Sequence, residues 1–308
     1  MSILSKSFSK ISICCMIHYM EKGGGKLKIT AAMLIFATIG LFRRAMPYSS
    51  AMISFFRGFL AMVILIVLRL FNRKGLDKES TRRNLIPLLI SGAMIGINWI
   101  LLFEAYRFTT IAVATISYYM APVFTIIASA IILKEKLTPR KTICVAVALL
   151  GMVFVSGVLE TGISGLRGVL LSLGAALLYS GDVIINKKIK GVDGIDRTII
   201  QMGAAAVAVL PYWLLTDNLG SIEISAKPVL LLLAACVICT ALPYYLYFTA
   251  IQVVPAQTAA ILSYIDPIVA VLLSALLLKE SMSALTLVGV ILVIAAALVS
   301  ETAKNNPS

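Results

Sequence analysis

Long apolar runs recur along almost the whole chain and are separated by short polar connections. About twenty apolar residues cross the hydrocarbon core of a bilayer as an α-helix, and ten runs of roughly this length are present. They fall near residues 29–47, 51–71, 85–106, 111–133, 138–157, 166–186, 197–216, 227–250, 256–278 and 283–300. This pattern predicts an all-α polytopic membrane protein with ten transmembrane helices.

The fourth and ninth runs resemble each other. The sequence ATISYYMAPVFTIIASAIILKE contains Tyr119 and Pro122, and AQTAAILSYIDPIVAVLLSALLLKE contains Tyr264 and Pro267. The tyrosines, the prolines and the terminal Leu-Lys-Glu sequences are all separated by the same 145 residues. Each repeat holds five spans, and because five is odd, the second repeat is predicted to insert with the opposite orientation. We therefore expect two inverted five-helix repeats, a common architecture of secondary transporters.

The repeat divides the chain into four predicted segments. They are a cytoplasmic N-terminal extension, a first repeat, a second repeat and a cytoplasmic tail, at residues 1–28, 29–157, 165–300 and 301–308. The apolar patch of the extension, ISICCMI, is too short to span a bilayer, and no small-residue cleavage site follows it. Translation starts either at Met1 or at Met20, which lies just before the first long run.

Composition agrees with a membrane protein. Hydrophobic residues make up 60% of the chain, charged residues 13%, and the mean hydropathy is +0.99, whereas a soluble domain is about half apolar and a quarter charged. With the N-terminus inside, 19 Lys and Arg residues fall in inner segments and 6 in outer segments. The positive-inside rule therefore explains the net charge of +13 better than nucleic-acid binding does. The rule places both termini on the cytoplasmic side, and we expect the protein to lie in the cell (inner) membrane.

Histidine and cysteine chemistry is not expected. His18 is the one histidine and lies outside every apolar run, which argues against a His-based metal site or a catalytic triad. Cys236 and Cys239 form a CxxC pair within an apolar run that has no second ligand pair, so they are predicted to pack as small apolar residues. No phosphate-binding GxxxxGK[ST] motif is present. We predict no metal, no cofactor and no ATP drive.

Asp266 is the main candidate for chemistry. An Asp at the centre of a membrane helix costs about 2.5 to 3.5 kcal/mol on insertion scales, and such residues usually face the protein interior or a wet cavity. Pro267 follows directly, and proline leaves a carbonyl of the preceding turn without its helical donor. Free carbonyls beside a carboxylate suit a proton, an amine or a cation. The alternative is a structural partner for Arg57 or for a tyrosine.

Three further charged residues lie within or near apolar runs. Arg57 suits a substrate carboxylate, or it is an internal counter-ion or an interfacial side chain. Glu104 is either a second proton acceptor or the local partner of Arg107, three residues further on. For Asp182, pairing within its helix or an interfacial position is favoured over function.

Polar and aromatic residues concentrate in the third, fourth, sixth, eighth and ninth runs. Aromatic side chains with a few polar groups often line small-molecule pockets, and the candidates are Asn98, Trp99, Tyr119, Tyr179 and Tyr264. The alternatives are an interfacial aromatic belt or the apolar core. Pro122 and Pro267 are predicted to distort their helices, and the Gly92-x-x-x-Gly96 motif predicts close helix packing.

At this point the chain resembles the EamA-type branch of the drug/metabolite transporter superfamily over residues 29 to 300. The likeness is carried by SFFRGFL around Arg57, YYMAPVFTIIASAIILKEKLT, GLRGVLLSLGAALLYSGDVIINKK and SYIDPIVAVLLSALLLKESM. The resemblance implies ten helices in two inverted repeats, and it relates the chain to exporters of amino acids, nucleosides, drugs and other metabolites. Ala121 stands where the second repeat has Asp266, and Phe36 stands where relatives often carry Trp.

These observations predict a secondary transporter rather than an enzyme. We expect alternating access and proton-coupled export of small organic metabolites, either amino-acid-like or drug-like. The alternatives are an intramembrane lipid-modifying enzyme and a facilitative, channel-like permease. The expected partners are a small-molecule substrate and the lipid bilayer, without nucleic acid, for a monomer or homodimer.

Overall fold

The computed structural model of the chain describes residues 24–71, 78–132, 139–155, 165–217, 225–250, 254, 262–279 and 282–302. Residues 1–23 of the predicted extension lie outside these ranges, as do Lys134, Glu135 and Glu280 of the Leu-Lys-Glu sequences. The described residues contain helices and no strand. We call residues 24–155 the first half of the chain and residues 165–302 the second half.

Within the described residues, eight α-helices lie in the first half and six in the second. The first half contains α1 (Gly25–Phe36), α2 (Ile39–Ala45), α3 (Ser50–Phe71), α4 (Lys78–Arg83), α5 (Leu85–Phe108), α6 (Ile111–Tyr118), α7 (Ala121–Ile132) and α8 (Pro139–Val155) within its described ranges. The described part of the second half contains α9 (Leu166–Lys188), α10 (Gly194–Thr216), α11 (Ala226–Cys236), α12 (Leu242–Ala250), α13 (Ile265–Leu277) and α14 (Ala284–Thr302).

Six helical stretches of the described chain are long and apolar enough to cross a membrane. They are Gly25–Ala45, Ser50–Leu70, Leu85–Phe108, Leu166–Asn186, Gly194–Thr216 and Ala226–Ala250. Four shorter apolar helices coincide with the other predicted runs: Ile111–Thr125, Thr142–Val155, Ile265–Leu277 and Ala284–Ala296. Large apolar side chains such as Leu215 and Ile131 are 86% and 73% exposed on the outer surface, where lipid would cover them. The chain is therefore a multi-pass membrane protein.

Several predicted runs are interrupted. The first run turns at Ala37 and Thr38 between α1 and α2, and the fourth turns at Tyr119 and Met120 between α6 and α7. In the eighth run, a π-helical turn at Val237–Ala241 joins α11 to α12. π-Helical turns within α-helices frequently occur at functional positions.

The two halves pack against each other along most of their length. The most extensive helix pairings join α5 to α9, α3 to α10, α8 to α14 and α5 to α10, and α1 packs on α12. Close packing depends on glycine at several places. Cβ atoms on Gly92 and Gly96 would collide with the carbonyl oxygens of Gln201 and Ala205, and one on Gly58 would lie 2.8 Å from the carbonyl oxygen of Met202. The Gly92-x-x-x-Gly96 motif therefore does bring two helices close together.

Helices α3 and α10 run antiparallel, and polar contacts join them at both ends. At one end, Arg69 of α3 donates to Asp196 at 2.8 Å and to Asp193 at 3.4 Å. At the other end, Ser49 donates to Asp217 at 2.5 Å. The ion pair with Asp196 is almost fully buried, so it holds two ionised groups inside the protein, where neither could remain without a partner.

Candidate transport site

The paired tyrosines and prolines lie at matching helix interruptions. Tyr119 is the C-cap of α6, and α7 begins two residues later with Pro122 in its first turn. Tyr264 is the N-cap of α13, which likewise carries Pro267 in its first turn. Proline is tolerated in the first turn of a helix, where its missing N–H has no helical partner anyway. Both tyrosine side chains are buried within the protein.

Tyr119 and Asp266 connect the two interruptions. The Tyr119 hydroxyl donates to Asp266 Oδ2 at 2.6 Å, and the rings of Tyr119 and Tyr264 lie 6.2 Å apart. A short hydrogen bond to a carboxylate is among the strong ones. Asp266 itself is only partly buried.

Asp266 has no cationic partner in the part of the chain that the structure describes. Of the two structural partners predicted for it, a tyrosine is present and Arg57 is not. A carboxylate that is held by a neutral hydroxyl can still bind a cation or a proton, because no fixed positive charge competes for it.

Arg57 forms a second polar centre, on α3. Its side chain is 3% exposed and donates from Nε to the Thr240 hydroxyl at 2.8 Å and from Nη2 to the Cys239 carbonyl at 3.4 Å. Thr240 and Cys239 belong to the π-helical turn. No carboxylate pairs with Arg57 within the described ranges. A buried guanidinium without an anion suits an acidic group of a ligand.

Aromatic rings cover the Arg57 guanidinium. Its central carbon lies 4.3 Å from the centroid of Trp99 and 5.0 Å from that of Phe103. Trp99 Nε1 donates to the Tyr244 hydroxyl at 3.2 Å, and Phe36 packs edge-on against Tyr244 at 5.0 Å. Phe36 thus contributes an aromatic contact even though it lacks the indole expected from the resemblance.

Asn98 and Tyr179 lie on the far side of the paired tyrosines. Asn98 Nδ2 donates to the Ala175 carbonyl at 2.5 Å, which ties α5 to α9. The ring of Tyr118 lies 5.8 Å from that of Tyr119 and 5.7 Å from that of Tyr179. A continuous series of tyrosines therefore leads away from Asp266 toward α9.

Glu104 lies apart from these groups. It pairs with Arg107 in the same helix at 3.0 Å, and Arg107 is mostly exposed. The local ion pair that the three-residue spacing predicts is therefore formed. Arg43 also lies near enough to interact electrostatically with Glu104.

Some site residues were not evident in the sequence. Thr240 and the Cys239 carbonyl, which hold Arg57, lie in the π-helical turn, and no hydropathy pattern predicts that turn. Ser91 and Gln201 lie around Asp182. Both are polar residues within apolar runs, and this is the sequence feature that could have identified them. Cys236 and Cys239 are buried and free, and no group of acidic, His or Cys side chains in the described ranges could hold a metal ion.

Comparison with known proteins decides the family. A model of the EamA-like transporter family matches residues 24–157 and again residues 166–302. The chain belongs to the EamA-like transporter family. Membership in this family makes it a membrane transporter rather than an enzyme.

Several relatives of this EamA-like protein carry the names of transporters. The uncharacterized transporter YxxF of Bacillus subtilis (strain 168) is 23% identical over 83% of this chain and 83% of its own length. Protein PecM of Dickeya dadantii (strain 3937) is 23% identical over 70% of this chain and 73% of its own. Human solute carrier family 35 member G1 is 25% identical over 52% of this chain and 50% of its own.

A solved crystal structure has the same fold. It superposes with a TM-score of 0.64 and covers 90% of this chain and 97% of that chain, at 18% sequence identity. At this identity the likeness concerns the arrangement of the helices alone.

Proposed function

We propose that this EamA-like protein is a secondary transporter that exports small organic metabolites, amino-acid-like or drug-like, in exchange for protons. The observation that carries the proposal is the 2.6 Å contact between Tyr119 of the first half and Asp266 of the second. One partly buried carboxylate without a fixed cation can hold a proton or a substrate amine, but not both at once. Mutual exclusion of this kind is the simplest basis for exchange.

The proposal includes alternating access between two inverted five-helix repeats. The helix pairings support it, because each has a counterpart 145 residues away. The pairing of α5 with α9 corresponds to the pairing of α12 with α1. Two further pairings each join a span to its own equivalent in the other repeat: α3 with α10, and α8 with α14. Gly58 of α3 and Gly203 of α10 are also equivalent. A Cβ atom added to either glycine would lie 2.8 Å from an atom of the other helix. Rocking of one half against the other would then expose Asp266 to each side in turn.

Arg57 narrows the substrate class within this proposal. A buried guanidinium without a carboxylate partner, in a protein that also holds Asp266 without a cationic partner, favours a solute with both an acidic and a basic group. Amino acids have this pattern. The aromatic rings around Arg57 favour an apolar or aromatic substituent on such a solute.

The experiment begins with thermal-shift screening of the purified protein against a panel of amino acids and small drugs. Hits are then tested in proteoliposomes with an imposed pH gradient. Asp266→Asn is expected to lower gradient-driven transport about tenfold or more, in the range of ordinary coupling free energies. Glu104→Gln, which removes the partner of Arg107, is the matched control and is expected to keep most of this transport.

Counterflow without a gradient separates the two roles of Asp266. Asp266→Asn keeps counterflow if the carboxylate holds only the proton, and loses it if the carboxylate also binds the substrate amine. Unchanged gradient-driven flux in Asp266→Asn would show that Asp266 does not couple protons. If transport by the unmodified protein does not depend on the pH gradient, the protein is a facilitative permease.

A further inference from the structure

A second carboxylate is buried on α9, away from the Asp266–Tyr119 contact. Asp182 is 5% exposed and lies on the side of α9 that faces α5 and α10. The transport site does not use it. It belongs to a group of five side chains that we call the polar cluster, made up of Asp182, Ser91, Asn186, Gln201 and Arg197.

Hydrogen bonds within the polar cluster join the two halves of the chain. Ser91 of α5 donates to Asp182 Oδ1, and Asn186 Nδ2 donates to the same oxygen at 2.7 Å. Gln201 of α10 donates from Nε2 to Ser91 Oγ at 2.5 Å and to Asn186 Oδ1 at 3.0 Å. Asp182 therefore lies at the centre of a contact among three helices, one from the first half and two from the second.

Some polar atoms of the polar cluster have no hydrogen-bond partner among the described residues: one is a donor, the buried Arg197 Nε, and two are acceptors. Asp182 Oδ2 accepts no hydrogen bond from the described residues. Gln201 is fully buried, and its Oε1 is likewise without a donor among them. A buried acceptor such as Gln201 Oε1 is normally satisfied, because leaving one without a partner costs about 1 to 3 kcal/mol. Both donors to Asp182 meet Oδ1, so Oδ2 is free to carry a proton, which would turn it from an acceptor into a donor.

The nearby positive charge does not replace this proton. Arg197 donates to Asn186 Oδ1 at 3.4 Å and to the Ile189 carbonyl at 3.3 Å, so it forms no direct ion pair with Asp182. A metal ion is also a poor occupant, since the polar cluster has a single carboxylate and a guanidinium close by. Among the described residues, the other titratable side chains that interact electrostatically with Asp182 are tyrosines: Tyr118, Tyr179, Tyr244 and Tyr247.

We propose that Asp182 is a proton-binding site, separate from the transport site, at the contact between α5 of the first half and α9 and α10 of the second. The proton comes from water and returns to water, and no other bond forms or breaks. When bound, it adds a donor to the contact between the halves. When released, it leaves a charge that only Ser91 and Asn186 stabilise directly. The proposal stands whether or not Asp266 exchanges a proton.

Infrared difference spectroscopy tests the proposal without a known substrate. The full-length protein in liposomes is stepped between pH values, and the C=O stretch of protonated carboxyl groups is followed, with ¹³C-labelled aspartate to separate Asp from Glu. Asp182→Asn is expected to remove one Asp component, and Asp266→Asn a different one or none. An Asp signal in Asp182→Asn that equals the unmodified protein's at every pH would overturn the proposal, and the Asp266 component reports on the proposed function separately.

A second variant keeps the carboxyl group and serves if Asp182→Asn fails to fold. Ser91→Ala removes one of the two donors to Asp182 Oδ1, and with it a hydrogen bond that favours the ionised form. The midpoint of the Asp182 signal is expected to move to higher pH by about one to two units, the equivalent of one hydrogen bond to a charged group. Ser172→Ala, at a buried serine of the same helix α9, should leave it in place. A midpoint that does not move in Ser91→Ala would also overturn the proposal.

Discussion

At the scale of single residues, the charges inside the helices have neighbours that differ in kind. Arg69 is paired with carboxylates and Glu104 with an arginine, whereas Arg57 and Asp266 are held by neutral groups. A paired charge stabilises a contact, while a charge held by neutral donors or acceptors has no fixed charge of opposite sign that competes with a ligand. This difference separates the candidate site from the structural ion pairs.

Arg57→Lys tests whether the planar guanidinium matters. Lysine keeps the charge but loses both the stacking on Trp99 and the geometry of the bond to Thr240. We expect a loss of about 2 kcal/mol in the free energy of unfolding, the size of a desolvated cation–π contact, measured by denaturation in detergent. Arg44→Lys, at an exposed arginine, is the control, and an equal loss in both variants would contradict the assignment.

At the scale of the elements, glycine decides how closely helices approach. The α5–α10 contact is made where Gly92 and Gly96 face the backbone of Gln201 and Ala205. The sequence motif indicates that some helix lies close, and the structure identifies α10 as that helix. The same contact brings Gln201 to Ser91, so helix packing also builds the polar cluster.

Gly92→Ala is expected to destabilise the protein by about 1 to 3 kcal/mol, the usual cost of overpacking. Its added Cβ would meet the carbonyl oxygen of Gln201, and backbone cannot move aside cheaply. Gly174→Ala is the matched control on α9, because its Cβ would meet only Leu101 Cδ1, at 3.4 Å. We expect that control to change stability by less than about 0.5 kcal/mol. Similar melting temperatures for the two variants would refute the close approach.

At the scale of the whole molecule, the distribution of Lys and Arg predicts the orientation in the membrane. The bias is strongest around the connections after the second, fourth and sixth predicted runs. The polar cluster and the Arg69–Asp196 pair lie at the ends of α9 and α3 next to these connections. With this orientation both would lie toward the cytoplasm.

Reporter fusions after residues 80, 137 and 190 are therefore expected to report a cytoplasmic location. A fusion after residue 110, between α5 and α6, is expected to report the opposite side and serves as the internal control. The measurement is the activity ratio of a reporter active only in the cytoplasm to one active only outside. An outside location at any of the first three positions would contradict the proposed topology.

The sequence by itself was sufficient for the class of protein. Apolar runs predict a multi-pass membrane protein, and the 145-residue repeat with its Tyr-x-x-Pro pairs led to the family that the comparison then confirmed. The ten-span count, the inverted repeats and the segment boundaries stay predictions. Local pairs were also predictable, as Glu104 and Arg107 show, because three residues of helix bring them together.

Only the tertiary structure decided which distant side chains meet. Tyr119 and Asp266 are 147 residues apart, and Arg57 and Thr240 are 183 apart. In a membrane protein both the lipid-facing and the interior-facing sides of a helix are apolar, so hydropathy does not reveal which way a helix is rotated. Rotation and crossing of the helices place Tyr119, rather than Arg57, against Asp266. They also bring Gln201 and Ser91 together around Asp182, which the sequence alone assigned to its own helix or to the interface.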